Sequence, residues 1–220
     1  GKNLIGTFYQ SQQILIDTRF LSSLSKREYK SGFAEVIKYG IIQDRPLFDL
    51  LSTHVDALSA FDSERHTDLW IQIITASCQN KISVVQQDEK EAGLRAILNF
   101  GHTIGHGIEA LCGYNTLKHG NCVAYGMIAA AYIAVQKGLC EPSEAQRLYT
   151  LIQQLGFVKP LPNIDINNLL TIMAKDKKRS KGQLRFILPT KIGHVIIQDN
   201  ISTSQIEKSV NFLISFLNKE

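Results

Sequence analysis

Apolar residues return at helical intervals along most of this chain. In the stretch Asp62–Gln87 they recur every three or four residues, which predicts one long buried helix. The same periodicity predicts helices over Arg95–Cys112, His119–Lys137, Asp165–Ala174 and Ser202–Asn218. The pattern therefore favours a chain that folds mainly into helices.

Residues with known capping preferences mark the ends of several helices. A serine followed three residues later by Glu or Gln has the spacing of a capping box, in which side chains accept hydrogen bonds from the free amides of a first turn. Three such pairs are Ser25 with Glu28, Ser143 with Gln146, and Ser202 with Gln205. Glycines suited to a left-handed stop follow two predicted helices, at Gly113 and Gly138.

Few segments look like β-strands. One is Gln13–Asp17, near the start of the sequence. A hairpin is predicted from Gln183–Leu188 and His194–Gln198, with Pro189 and Gly193 between the two strands. The predicted fold class is mainly α: a multi-helical domain with a small β element.

Composition narrows the class of protein. With 44% hydrophobic and 20% charged residues the chain can bury a core, and one compact domain is expected. The net charge of +4 is spread along the sequence, which disfavours nucleic acid as a partner and suits a small anionic substrate. No segment resembles a signal sequence or reaches the length of a membrane helix. The four cysteines are far apart and form no CxxC pair, which indicates buried thiols in a reducing cytoplasm.

The histidines that follow residue 100 are the strongest candidates for chemistry. His102 and His106 are four residues apart, so they share a helix face and can converge on one cation. Ordinary partly buried histidines show the same spacing, so the pair alone supports a metal site and a structural role equally. Gly101 and Gly105 favour a site, because glycine weakens a helix unless something approaches the backbone closely. His119 opens the next predicted helix, and antiparallel packing would bring it beside His102.

A second candidate is Glu35 in the segment Ser31–Gly40. It interrupts an apolar helix stripe, and Lys38 lies one turn further on. A carboxylate on such a face needs a partner. Either Glu35 pairs with Lys38 within the helix, or it completes a metal site of two histidines and one carboxylate. Three protein ligands would leave an open position for substrate oxygens, as in catalytic zinc sites.

Two further groups of charged residues are candidates for binding an anion. Lys81, Asp88, Glu91 and Arg95 run from the end of the long predicted helix into the segment before the histidines. Near the C-terminus, the run Lys175–Lys178 offers several cations that suit a phosphate or a carboxylate. Solvated surface charge is the alternative explanation for both groups.

Several of these segments together resemble the 3-dehydroquinate synthase family. They occur in the family's order and at its spacing over essentially the whole chain, which is more specific than any single motif. The matching segments are Gly1–Gln10, Gly32–Gly40, Asp88–Glu91 with Gly93–Arg95, Leu98–His106, Lys118–Gly120 and Asp176–Lys178.

The resemblance implies a divalent metal, Zn²⁺ or Co²⁺, held by Glu35, His102 and His119. His106 would then face the substrate rather than the metal. The other substrate-contacting residues that the resemblance implies are Asn3, Lys38, Lys81, Glu91, Arg95, Asn99 and Lys178 or its neighbour Lys177. The implied activity is that of an NAD- and metal-dependent carbon–oxygen lyase of the shikimate pathway. It converts 3-deoxy-D-arabino-heptulosonate 7-phosphate into 3-dehydroquinate and phosphate, for aromatic amino-acid biosynthesis.

The resemblance also implies NAD⁺ as a cofactor, with Phe20, Leu24 and Glu28 the nearest positions, and a homodimeric full-length enzyme. The family has an N-terminal nucleotide-binding domain, and no Gly-rich dinucleotide fingerprint occurs in this sequence. We therefore expect residues 1–220 to be the C-terminal helical domain that binds metal and substrate. The NAD-binding domain is expected to be absent from the chain, and the isolated chain to be inactive.

Two positions depart from the family pattern. Asn121 stands where a glutamate is common, and Ser11 where a proline is frequent; neither is an implied ligand. Another NAD- and metal-dependent sugar-phosphate cyclase is the nearest alternative function, although Lys81 and Arg95 suit a carboxylate-bearing substrate and disfavour it. An inactive helical binding module is the alternative from a different class, and such a module would bind no stoichiometric metal.

Overall fold

A computed structural model of the protein describes residues 5–6, 11–60, 62, 64–89, 93–113, 117–161, 164–179 and 184–218, the side chains of 175–179 excepted. Within these residues the fold is mainly helical with one two-stranded sheet, as predicted. The α-helices are α1 (Lys26–Ile42), α2 (Arg45–Thr53), α3 (Val55–Ser59), α4 (Thr67–Gln87), α5 (His102–Cys112), α6 (His119–Gln136), α7 (Pro142–Gln154), α8 (Ile166–Arg179) and α9 (Thr203–Leu217). Short 3-10 helices cover Thr18–Ser23 and Leu94–Asn99, and the strands are β1 (Phe186–Lys191) and β2 (His194–Gln198).

Apolar periodicity located α4, α6, α8 and α9. Two of their ends differ from the prediction by more than one residue: α4 begins at Thr67 rather than Asp62, and α8 continues to Arg179 rather than ending at Ala174. Gly113 and Gly138 both have positive φ, at 77° and 66°, beside the ends of α5 and α6. The predicted glycine stops are therefore confirmed.

Two of the three predicted helix caps are confirmed. Ser202 and Gln205 form a complete capping box at the start of α9. The Ser25 hydroxyl accepts a hydrogen bond from the amide three residues later, at 3.2 Å, and caps α1. The prediction for Ser143 is wrong, because α7 begins one residue earlier at Pro142. Proline suits a first helical position, where its fixed φ is already helical and its missing N–H costs nothing.

The prediction of one helix over Arg95–Cys112 is wrong. The chain forms a 3-10 helix as far as Asn99, turns at Gly101 with a φ of 79°, and starts α5 at His102. Glycine adopts such a positive φ at little cost. A Cβ at Gly101 would also lie 2.6 Å from the carbonyl oxygen of Val123 in α6. The histidine helix α5 therefore begins where α6 packs closely against the turn at Gly101.

The hairpin is confirmed, with one change in its turn. β1 and β2 are antiparallel, and Pro189 lies within β1 opposite Val195 instead of in the turn. The predicted strand Gln13–Asp17 is not formed, since these residues have no regular secondary structure. A short run of β-prone residues alone does not make a strand, because the backbone needs a neighbouring strand to pair with. The one sheet of the described residues consists of β1 and β2.

Helix α6 is the centre of the fold. Every residue of Cys122–Ala131 is buried, and the helix packs against α1, α5, α7, α9 and β1. A helix that is apolar on all sides is stable only when other elements surround it. Among the described helices none is both long and apolar enough to cross a membrane.

Two glycines of α6 set how closely its neighbours approach. A Cβ built at Gly120 would lie 2.1 Å from the carbonyl oxygen of Ser31 in α1. A Cβ built at Gly126 would lie 1.8 Å from the carbonyl oxygen of Gly101, just before α5. Any larger residue would push the backbones apart. The missing side chains therefore let α1 and the start of α5 meet α6 at van der Waals distance.

Candidate metal and substrate site

Three helices bring candidate ligands to one place. Helix α1 carries Glu35, the first turn of α5 carries His102 and His106, and His119 is the first residue of α6. The ring centroids of the three histidines are 5.2 to 5.6 Å apart. One ring nitrogen from each lies within 4.8 Å of the others. The predicted proximity of His119 and His102 is therefore confirmed.

One carboxylate oxygen faces two of these rings. The Oε1 atom of Glu35 lies 3.5 Å from His102 Nε2 and 3.7 Å from His119 Nε2. Two atoms bound to the same tetrahedral Zn²⁺ lie about 3.4 Å apart, given bond lengths of about 2.0–2.2 Å. Both distances from Glu35 Oε1 are therefore close to the separation of two ligand atoms on one metal ion, and this donor set fits a divalent metal.

The other nitrogen of each of these rings has its own acceptor. His102 Nδ1 lies 3.0 Å from the carbonyl oxygen of Phe100, and His119 Nδ1 lies 3.1 Å from Glu109 Oε2. A carbonyl or an ionised carboxylate only accepts, so Nδ1 carries the proton in a neutral ring. When a metal ion lies between Nε2 and Glu35, the lone pair is on Nε2; without the ion, Nε2 can carry a proton and donate to Glu35. The tautomer with the proton on Nδ1 is the one that a metal ligand needs.

Sequence analysis missed Glu109. It lies two helical turns after His102, on the same face of α5, and a helical spacing of seven residues was the available signal. A glutamate on a helix is most often solvated, and only the position of α6 reveals that this one contacts His119.

Lys38 balances the charge of Glu35. Its ammonium group forms an ion pair with the Glu35 carboxylate, and the lysine is buried with only 4% of its surface exposed. Burial on its own raises the pKa of Glu35, but hydrogen bonds from His102 and His119 and the Lys38 charge together lower it well below its usual value. Burial lowers the pKa of Lys38, against the Glu35 carboxylate, which raises it. Both interpretations of Glu35 thus have structural support: it pairs with Lys38 and also faces the histidines.

His106 is the member of the histidine group that is exposed to solvent. Its ring lies 5.2 Å from that of His102 and 5.6 Å from that of His119. The three imidazoles by themselves form a possible ligand set, and Glu35 with His102 and His119 forms another. We favour the second set, because one Glu35 oxygen faces both Nε2 atoms while His106 points to the solvent side. His106 is then available to a substrate.

The structure describes three of the other residues that were predicted to contact the substrate. Lys81 is exposed on α4, and its charge contributes to lowering the pKa of Lys38, after burial as the main cause. Arg95 is half-buried, and its guanidinium donates to the carbonyl oxygen of Glu89 at 2.9 Å. Asn99 is exposed at the end of the 3-10 helix, three residues before His102. Asn3, Glu91 and the side chains of Lys177 and Lys178 lie outside the described residues.

Asp88 organises the loop that leads to Arg95. Its Oδ2 accepts hydrogen bonds from the amides of Gly93 at 2.8 Å and Arg95 at 2.9 Å. The carboxylate thereby ties the end of α4 to the start of the 3-10 helix. Lys81, which belongs to the same predicted group of charged residues, lies in α4 two helical turns before Asp88.

The residues that the resemblance assigns to NAD⁺ lie near the start of α1. Phe20 and Leu24 are exposed apolar side chains in and directly after the first 3-10 helix. Glu28 forms an ion pair with Lys118 at 2.5 Å. Lys118 directly precedes His119, so this pair connects the predicted cofactor positions to the histidine group.

Comparison with known proteins shows the family of the chain. Residues 32–179 match the family described as 3-dehydroquinate synthase C-terminal, and residues 1–31 match the one described as 3-dehydroquinate synthase N-terminal. The chain belongs to the 3-dehydroquinate synthase family. The C-terminal match contains all the residues placed at the metal site above, with Glu35 near its beginning.

Curated relatives carry the same family name. The 3-dehydroquinate synthases of Rippkaea orientalis and Synechocystis are 50% and 49% identical to the chain over 96% of its length. The chain spans 57% and 58% of the length of these two relatives.

Solved structures of related synthases share the fold. ValA, the 2-epi-5-epi-valiolone synthase of Streptomyces hygroscopicus subsp. jinggangensis, has NAD⁺ and Zn²⁺ bound. It matches 97% of the chain with a TM-score of 0.85 and 26% identity, over 59% of its own length. A 2-deoxy-scyllo-inosose synthase complexed with carbaglucose-6-phosphate, NAD⁺ and Co²⁺ matches 96% of the chain with a TM-score of 0.73 and 25% identity, again over 59% of its length. The predicted similarity to dehydroquinate synthase-like C-terminal domains is therefore confirmed.

Proposed function

We propose that this chain supplies the metal- and substrate-binding part of a 3-dehydroquinate synthase. The reaction converts 3-deoxy-D-arabino-heptulosonate 7-phosphate into 3-dehydroquinate and phosphate, with NAD⁺ as a cofactor. The observation that carries the proposal is the contact of one Glu35 oxygen with the Nε2 atoms of His102 and His119. Residues 1–220 act as the C-terminal domain in this proposal, and NAD⁺ binds together with the remainder of a full-length enzyme.

Glu35, His102 and His119 would hold the metal, Zn²⁺ or Co²⁺. When bound, such an ion supplies Lewis acidity, which polarises substrate hydroxyls at the carbon to be oxidised. Three protein ligands leave at least one coordination position open to substrate. The three residues sit on three different helices packed through α6, so the site is held by rigid elements rather than by a loop.

The surrounding cations suit the charge of the substrate. The heptulosonate phosphate carries a carboxylate and a phosphate. Lys81 places positive charge near Lys38, and Arg95 lies in the second 3-10 helix, which packs against α1. Lys38 is buried beside Glu35, where an ammonium group can donate to a substrate oxygen next to the metal. In this proposal two further exposed residues complete the binding surface: His106, whose ring lies 5.2 Å from that of His102, and Asn99 at the end of the 3-10 helix. Several fixed contacts hold a flexible sugar acid in one reactive geometry.

The level of sequence identity favours this function over that of related cyclases. The chain is 44–50% identical to 3-dehydroquinate synthases, such as those of Prochlorococcus marinus and Rippkaea orientalis. It is only 25–27% identical to the valiolone and inosose synthases of known structure. A substrate with a carboxylate in addition to its phosphate also suits Lys81 and Arg95 better than a sugar phosphate without a carboxylate does.

Metal binding is the first test. The chain and its Glu35→Ala, His119→Ala and His194→Ala variants are titrated with Zn²⁺ and Co²⁺ by calorimetry. His194 is an exposed histidine in β2 that contacts Thr190, and it serves as the control. We expect one ion per chain in the wild type and in His194→Ala, and a large loss of affinity in the other two. Absence of stoichiometric binding in the wild type would favour a binding module instead.

Activity is the second test. The curated relatives are longer than this chain, so phosphate release is measured with the chain itself and with a chimera that adds the preceding residues of the Synechocystis relative. With NAD⁺ and the heptulosonate phosphate, we expect turnover in the chimera and none in the chain alone. Turnover with other sugar phosphates but not with the heptulosonate phosphate would indicate a different cyclase.

The proposal also includes a cytoplasmic homodimer. All four cysteines are unpaired, which suits a reducing compartment. Light scattering of the chimera measures the oligomeric state, and a monomer at micromolar concentration would contradict this part of the proposal.

A further inference from the structure

We infer that Glu109 is a positioning residue, which holds the His119 ring so that Nε2 faces the metal. This inference rests on the proposed metal-binding function. Glu109 Oε2 lies 3.1 Å from His119 Nδ1, across the contact between α5 and α6. Glu109 is itself well shielded, with 16% of its side chain exposed, so it offers a fixed acceptor.

His119 needs such a support more than His102 does. The His102 side chain is 13% exposed, and the backbone carbonyl of Phe100 accepts from its Nδ1. The His119 side chain is 42% exposed and belongs to the first residue of α6. The Ser31 hydroxyl of α1 accepts from the Gly120 amide at 3.0 Å and fixes the backbone of this helix start, but that contact does not hold the imidazole ring of His119. Packing alone therefore restrains His119 weakly, and the Glu109 contact supplies the missing restraint.

The chemistry of the contact selects one tautomer. An ionised carboxylate accepts but does not donate, so when a metal ion takes the Nε2 lone pair of His119 the ring proton stays on Nδ1, where Glu109 accepts it. The same carboxylate makes the imidazole a stronger electron donor toward a cation on its other side. Glu109 is not a ligand of the same ion in this arrangement, because Glu35 faces Nε2 while Glu109 faces Nδ1.

The test compares two variants of Glu109 with a matched control. Glu109→Ala removes the acceptor, while Glu109→Gln keeps an acceptor oxygen without the charge. Glu144 is the control: its side chain is 19% exposed and accepts from the amide of Ile192 at 2.7 Å, but it has no contact with the histidines among the described interactions. Glu144→Ala therefore reports what the loss of a shielded carboxylate does to the fold alone.

Zinc affinity is measured on the 220-residue chain by competition with a chromophoric chelator. We expect affinity to fall about 10- to 100-fold in Glu109→Ala, as is usual when the hydrogen-bond partner of a metal-bound histidine is lost. Glu109→Gln should recover part of that loss, and Glu144→Ala should stay within about twofold of the wild type. In the zinc-loaded wild type, nitrogen NMR of labelled histidine should show the His119 proton on Nδ1.

The failures of the two proposals give different results. If the wild type binds zinc and both Glu109 variants stay within twofold of it, or if the His119 proton is on Nε2, the role of Glu109 is refuted and the metal site stands. If the wild type binds no stoichiometric zinc, the proposed function itself fails. Circular dichroism checks the fold of each variant. Should Glu109→Ala not fold, the near-isosteric Glu109→Gln decides, with a loss of less than twofold refuting the inference.

Discussion

Replacement of Gly120 by alanine should disturb both the stability of the fold and the metal site. Gly120 is the second residue of α6, directly after His119, and it faces the backbone of α1 at Ser31. Ser31 lies one helical turn before Glu35. A single methyl group at this position would therefore push apart the two helices that carry a carboxylate ligand and a histidine ligand.

The size of the effect follows from the contact distances. The alanine Cβ would lie 2.1 Å from the Ser31 oxygen and 2.6 Å from its Cα, where ordinary contact begins at 3.4 Å. The obstacle is backbone and cannot change rotamer, so the helices must separate by roughly 1 Å. Overpacking of this kind costs about 1–3 kcal/mol of unfolding free energy, and we expect a value near the upper end. A shift of this size also exceeds the tolerance of about 0.2 Å on metal–ligand distances.

Gly32→Ala is the matched control in the same pair of helices. Gly32 lies in the middle of α1, and a Cβ there would meet nothing within 4 Å. Alanine in a helix interior is favoured over glycine by about 0.5–1 kcal/mol, so this variant should be slightly more stable than the wild type. Urea denaturation followed by circular dichroism measures both variants, and zinc titration should show at least about tenfold weaker binding in Gly120→Ala alone. A Gly120→Ala chain within 0.5 kcal/mol of the wild type would refute the close-contact argument.

Three further results are expected. Asp88→Ala removes the acceptor of two amides in the loop that leads to Arg95, so it should cost about 1–3 kcal/mol of stability and weaken substrate binding in the activity assay, while zinc affinity stays unchanged. Burial, and then the charge of a nearby glutamate, raises the pKa of Cys122 to about 12. An unfolded thiol has a pKa of about 8.5, so above that pH only the unfolded chain loses this proton and the unfolding free energy falls as pH rises, by about 2 kcal/mol at pH 10. Cys122→Ala should remove that part of the pH dependence, and equal slopes in both chains would contradict it. Asp49→Asn breaks a partly exposed ion pair of 2.5 Å with Arg147, and should cost less than about 1 kcal/mol in the same denaturation assay.

The helices most accessible to prediction were those with a long apolar repeat or a strong cap. α6 and α9 are examples, because their periodicity and their flanking residues agree. The break between the 3-10 helix and α5 was not predicted, because a one-residue turn at Gly101 does not disturb the helical periodicity of the apolar residues. The false strand at Gln13–Asp17 arose for a different reason: a short run of β-prone apolar residues was present, but the described structure offers it no strand to pair with.

The spacing of residues in the sequence predicted only part of the site. The four-residue interval between His102 and His106 correctly placed both on one face of a helix, but it carried no information about what approaches that face from another helix. Glu35 and His119 were candidates from the apolar stripe and from the expected antiparallel packing, the family resemblance selected them over His106, and the structure brings both to His102. Glu109 was missed because its role depends on the same contact between helices.

The glycines at the helix contacts are therefore as necessary for the metal site as the ligands are. Glu35, His102 and His119 come from three helices, and their atoms meet only if α6 passes its neighbours at backbone contact distance. Gly120 and Gly126 permit that passage, at α1 and at the start of α5 respectively. A chain that kept all three ligands but replaced these two glycines with larger residues would hold the right donor groups too far apart for one metal ion to bind them. Metal affinity in such a chain should fall although no ligand has changed, which distinguishes a site built by helix packing from one built by a local loop.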